Sequence, residues 1–73
     1  MHNFYLTVGQ MYRYEPHPLG LTPDKFCRII AKDERSAREY AFRACGNKWA
    51  FLYPENKFIP EYFPGGEAFS VVV

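Results

Sequence analysis

Only one stretch of the chain, residues 33–46 (DERSAREYAFRACG), carries helical periodicity, so the fold must be built around a single helix. At 100° per residue, Tyr40, Ala44, Ala37, Ala41 and Cys45 fall in one arc about 140° wide, the width of a buried stripe. Asp33 is placed to cap the helix by accepting from otherwise orphaned N–H groups. Glu34 sits in the first turn, where the macrodipole favours an acid, and Gly46 is placed to end the helix in a left-handed conformation. Three of the five stripe residues are alanine, which lets the helix lie close to a sheet. Arg35–Glu39 and Glu39–Arg43 are two i,i+4 pairs, each contributing a few tenths of a kcal/mol.

The rest of the chain reads as strands punctuated by proline. Residues 4–14 (FYLTVGQMYRY) alternate like a strand that bends near Gly9, where a bulge or a close backbone approach is expected. Residues 15–24 hold three of the six prolines and form a stiff connection, too long for a two-residue hairpin turn. Residues 25–32 (KFCRIIAK) are a second strand, 47–53 (NKWAFLY) a third and 68–73 (AFSVVV) a short last one. Between the last two lies a Pro/Gly-rich arm at 54–67 with three prolines and two glycines. There are no internal repeats and no second-domain boundary, so residues 1–73 read as a single domain. The order is β-β-α-β-(β). A βαβ crossover is right-handed almost without exception. The first strand then sits between the second and third, antiparallel to both. The expected class is α+β, one helix packed on a small antiparallel sheet of order 2-1-3-4.

Ordering 73 residues costs on the order of 110 kcal/mol at about 1.5 kcal/mol each, so apolar burial must offset nearly all of it. Fourteen aromatics, 19% of the chain, supply the means, and with a net charge of +1 they exclude intrinsic disorder. The same balance excludes a strongly basic nucleic-acid tail and an acidic DNA mimic. No apolar run approaches the roughly 18 residues of a membrane span. The start, Met1-His2-Asn3-Phe4, lacks the basic region and apolar core of a signal peptide, so a cytoplasmic protein is expected. Cys27 and Cys45 lie 18 positions apart, without the close pairing of zinc ligands. Both read as small buried hydrophobes; no metal and no cofactor is expected.

One helix covers one sheet face, yet both faces carry apolar groups. Leu6, Val8, Cys27, Ile29, Ala50 and Leu52 suit the helix side. Tyr5, Phe26, Trp49, Phe51 and Tyr53 then fall on the other. Three covers are open: the arm folding back with Phe58, Ile59, Tyr62 and Phe63, a second copy in a homodimer, or a partner. Charge is also uneven. Residues 24–48 carry seven basic and four acidic groups, whereas residues 49–73 carry one basic and three acidic. Arg35, Arg38 and Arg43 form a basic strip on the helix. Phe42 lies about 40° from Arg38, outside the apolar arc, where a solvated helix takes a polar residue. Catalysis lacks its parts: His17, between two prolines, has a carboxylate nearby at Glu15 but no nucleophile, metal or oxyanion donor. Gly65-Gly66 is not a phosphate-cradling motif, and the Gly-aromatic-Gly signature of an RNA-recognition sheet is missing.

The pieces Val8-Gly9-Gln10, Glu15-Pro16-His17-Pro18, Ser36-Ala37-Arg38, Gly46-x-x-Trp49-Ala50-Phe51-x-Tyr53 and Tyr62-Phe63-Pro64-x-Gly66-Glu67 together resemble short uncharacterised proteins encoded by bacteriophages and integrated elements. Size and element order are similar to those of anti-CRISPR inhibitors. The resemblance implies a phage or mobile-element origin; the missing catalytic set, stiff Pro-rich loops, surplus aromatics and basic helix strip point to a non-enzymatic interaction protein that binds and sterically inhibits a host protein complex, such as an anti-CRISPR-like inhibitor of a defence complex. The contacts expected on the residues' own chemistry are Arg35, Arg38, Phe42 and Arg43, with Tyr12, Tyr14 and His17 second, since aromatics and Arg dominate interface energetics. The alternative is a nucleic-acid-binding module using the same basic strip and aromatics.

Overall fold

The alternating segments become four strands in the computed structural model, which describes residues 1–9 and 17–73. Strand β1 is His2–Thr7, β2 is Lys25–Ala31, β3 is Phe51–Pro54 and β4 is Gly66–Val72; helix α1, Glu34–Cys45, joins β2 to β3. The class is α+β, with α1 packed on a four-stranded sheet. The Asp33 carboxylate accepts from the Ser36 N–H at 2.8 Å, and the Gly46 N–H returns to the Phe42 carbonyl at 2.8 Å, so both ends of α1 stop where the caps require.

Strand β1 pairs antiparallel with β2 on one side and β3 on the other. Leu6 lies opposite both Cys27 and Leu52, and Phe4 opposite Ile29, so one pleat face is continuous across three strands. Ala37 and Ala41 press onto that face, and both are fully buried together with Leu6, Cys27 and Ile29. Fully burying a Leu or Ile stabilises by roughly 1.5–3 kcal/mol, which is how so short a chain recovers its ordering cost.

The arm covers the part of the second face around Tyr5 and Phe26, while Phe51 stays 52% exposed. The arm contains two short 3₁₀ turns, Glu55–Lys57 and Pro60–Tyr62. Between and after them Phe58 and Phe63 turn inward. Phe58 stacks on Tyr5, with ring centroids 4.1 Å apart, and on Phe63 at 5.3 Å. Phe26 meets Phe58 edge-on at 4.9 Å, an arrangement the ring quadrupoles favour. Phe63 is buried, while Ile59 and Tyr62, also expected to cover this face, point to solvent.

The place of the last strand differs from expectation. The order is β3-β1-β2-β4, and β4 runs parallel to β2, so the sheet is mixed rather than wholly antiparallel. The 2-1-3 part of the expected order is present; β4 has gone to the opposite edge. Handedness and the arm explain this together. The crossover from β2 to β3 moves across the sheet one way, over the face that α1 covers. The connection from β3 to β4 moves back the other way between parallel strands. Two right-handed crossovers in opposite directions must use opposite faces. The arm therefore runs beneath the sheet, where Tyr5 and Phe26 need covering, and delivers β4 beside β2.

Close backbone contact fixes the arrival of β4. The Gly65 N–H donates to the Asp24 carbonyl at 2.8 Å, and a methyl at Gly65 would stand 2.5 Å from Asp24 Oδ2. Gly9 has φ +81°, and a Cβ there would lie 3.3 Å from Ala50 Cβ, the close approach expected of it. Strand bounds differ most at three places, one being β4, which starts at Gly66 inside the expected arm rather than at 68. Strand β1 starts at His2 and ends at Thr7, and the remainder of the expected 4–14 strand beyond Gly9 lies outside the described residues. Strand β3 starts at Phe51 rather than 47, because Lys48 N–H is engaged in a turn with the Cys45 carbonyl at 3.0 Å. No helix among the described residues is long and apolar enough to cross a membrane.

Candidate partner-binding surface

Burying Ala37, Ala41 and Cys45 fixes the rotation of α1 and hence what it presents outward. Arg35, Arg38, Phe42 and Arg43 are all exposed on its far side, with Glu34 and Glu39 interleaved. The strip is not bare positive charge. Arg35 Nε lies 3.4 Å from Glu39 Oε1, and Arg38 Nη2 lies 3.3 Å from Glu34 Oε2, both at i,i+4 spacing. Exposed pairs of this kind contribute about 0.3–0.5 kcal/mol, but they compensate two of the three arginines. The expected Glu39–Arg43 pair does not form, since Glu39 turns to Arg35; no carboxylate among the described residues pairs with Arg43.

The turn after α1 supplies a residue that periodicity assigned elsewhere. Alternation with Phe51 and Tyr53 puts Trp49 on the arm side of the sheet; instead it precedes β3 and folds against the end of α1. Its indole N–H donates to the Gly46 carbonyl at 3.1 Å. Phe42 meets it edge-to-face, with centroids 5.3 Å apart and planes at 70°. The Arg38 guanidinium sits 5.7 Å from the ring centre, within cation–π range. Arg38, Phe42 and Trp49 thus form one braced patch, to which Arg35 and Arg43 add charge at its margin. The signal for Trp49 is Gly46. A chain reversed just past the helix end passes back over the last turn, and there residue 49 meets residue 42.

His17 reaches the same turn from the other side. The Leu19 N–H donates to Nδ1 at 3.0 Å, so the ring proton sits on Nε2, which donates to the Lys48 carbonyl at 2.8 Å. These two bonds tie His17 to Leu19 and to the 46–49 turn. Tyr12 and Tyr14 lie outside the described residues.

Elsewhere the chemistry is quiet. Cys27 and Cys45 are both free and buried. Burial pushes the Cys27 thiol up from an ordinary value of 9.0 to about 12, and raises Cys45 in the same direction. Thiols so protonated are poor nucleophiles and poor metal ligands at neutral pH. No group of three or more His, Cys, Asp or Glu among the described residues is arranged to hold a metal ion. An open cleft of about 320 Å³ lies beside the start of β1, lined by His2, Asn3, Phe4, Pro54, Glu55 and Asn56. Asn3 Nδ2 donates to Glu55 Oε1 across its floor, which ties the first 3₁₀ turn of the arm to β1.

Comparison with family models, with curated proteins and with solved structures finds no match to this chain.

Proposed function

We propose that the protein is a non-enzymatic interaction module that docks onto a protein partner through the Arg38–Phe42–Trp49 patch. As a product of a bacteriophage or mobile element, it acts in the cytoplasm of a bacterial host, covering a surface that a host complex, plausibly one of defence, needs for its work. One observation carries this reading: Phe42 is 55% exposed, yet its ring is already braced against Trp49. A braced aromatic loses little rotamer freedom on binding, and this lowers one of the main costs of association. Tyr and Trp with Arg are the residue types that anchor interface centres. The ion pairs on α1 favour a protein over a phosphate backbone, because Arg35 and Arg38 already have anionic neighbours.

The test is affinity for the protein captured from a host lysate by the tagged chain. The double variant Arg38→Glu with Phe42→Ala is expected to lose at least about 2 kcal/mol, or about 30-fold, with little change in thermal midpoint. The Glu61→Ala control on the arm is expected to bind like the parent. Unchanged affinity in the double variant contradicts the patch. Nucleic-acid binding that weakens log-linearly with salt, as counterion release demands, would instead support the nucleic-acid module.

A further inference from the structure

We infer that two copies of the chain associate edge to edge through β4, antiparallel about a two-fold axis at Ser70. Among the described residues β4 has a sheet neighbour on one side alone. An unpaired edge is a template for another strand, and proteins usually blunt it with proline, lysine or a short length. The β3 edge is blunted in that way, being four residues long and ending at Pro54. The β4 edge is not. It is seven residues long, and from Ala68 to Val73 it contains neither a proline nor a charge. Two of its apolar side chains are left in solvent, Val72 at 66% and Phe69 at 41% exposed, while Ala68 and Val71 pack against the core.

The backbone directions select the register. The Val73 N–H donates to the Ile30 carbonyl at 2.8 Å, so Val73 points its peptide groups at β2. Strand alternation then turns those of Val71 and Phe69 the same way and those of Ser70 and Val72 outward. In an antiparallel pair centred on Ser70, the two Ser70 residues exchange both backbone bonds and Val72 lies opposite Ala68 of the second copy. Phe69 then faces Val71, an aromatic against a β-branched residue, which is a favourable cross-strand pair. Glu67, held by Arg28 at 3.1 Å, falls at the two far ends of the ladder, so no like charges oppose each other. The occupant is therefore a second copy: about this axis the strand's outward hydrogen-bonding groups match their own copies, its apolar residues face one another, and no like side-chain charges are opposed. The pairing closes at two, because both outer edges of the joined sheet are the blunted β3.

Sedimentation of the purified chain across concentration tests this. The expected result is a dimer of about 17 kDa, twice the 8.6 kDa chain, whose share rises with concentration. Ser70→Pro removes an N–H that faces outward and leaves the β2 ladder intact, a change that edge strands tolerate. Val72→Lys places a charge on an already exposed position. Each is expected to raise the dimer dissociation constant at least about tenfold at a near-parental thermal midpoint. Phe42→Ala is expected to leave it unchanged, which separates this surface from the one on α1. If Ser70→Pro unfolds, Val72→Lys decides alone. A parent that stays monomeric to about 1 mM, a dimer that survives Val72→Lys, or assembly that continues beyond two copies overturns the pairing.

Discussion

Cys27 is fully buried between the sheet and α1, and its thiol is held protonated there mainly by lost hydration. That has a consequence for stability against pH. A group whose folded-state value is raised gives stability that is complete below the unfolded value and is lost as pH rises through the folded one. For Cys27 the window runs from 9.0 to about 12, and Cys45 and Tyr40 are pushed in the same direction. The thermal midpoint should therefore fall with rising pH above about 9, and Cys27→Ala should flatten part of that fall. Native protein should react slowly with a thiol reagent and denatured protein should release two thiols. A midpoint that holds flat to about pH 11 in the parent contradicts the burial argument. These residues were legible in the sequence, because Cys45 lies on the apolar arc of the helix and Cys27 alternates with Ile29 and Ala31. Trp49 was not. Its alternation with Phe51 and Tyr53 is genuine in sequence, but the turn at Gly46 uses residues 46–50 before the strand begins.

Among the elements, the arm carries most of the non-local logic. Phe63 is buried against Phe58 and Phe26, and removing a buried Phe side chain costs about 3–5 kcal/mol. A small domain has only about 5–15 kcal/mol in total, so Phe63→Ala should lower the denaturation midpoint severely. Tyr62 is its immediate neighbour and is 65% exposed, so Tyr62→Ala should change stability by about 0.5 kcal/mol or less. Equal losses in the two variants would contradict an arm that turns Phe63 inward and Tyr62 outward. The helix, its caps and the three-strand centre could be read from periodicity and from the Asp33 and Gly46 signals. The position of β4 could not. A short run such as AFSVVV fits either edge of the sheet. What decides is which face the arm crosses, and this depends on Phe58 and Phe63 finding Tyr5 and Phe26.

At the scale of the whole molecule, the two sheet faces are covered by different means, α1 on one and the arm on part of the other. Among the described residues, exposed large apolar side chains remain on the outer side of α1 (Phe42), in β4 (Phe69, Val72), and also at Phe51, Ile59 and Tyr62. Arg35, Arg38, Phe42 and Arg43 were legible as outward residues, because the alanine stripe fixes the helix rotation. Their charge balance was less so: Glu39 lies four residues from both Arg35 and Arg43 and spacing alone does not rank the two, while the Glu34–Arg38 pair has the same spacing and was missed. His17, flanked by prolines, reads as a presented side chain. Its two ring nitrogens bond Leu19 and Lys48, which ties it to the turn that carries Trp49. Partner binding is proposed to occur on the α1 patch. The most direct measurement is the backbone amide NMR footprint of the labelled chain as the captured partner is titrated in. Shifts are expected to concentrate at residues 35–49, strongest around Arg38, Phe42 and Trp49, with the arm unmoved. A footprint confined to Phe51, Tyr53 and the arm, with residues 35–49 unchanged, would contradict binding at the patch.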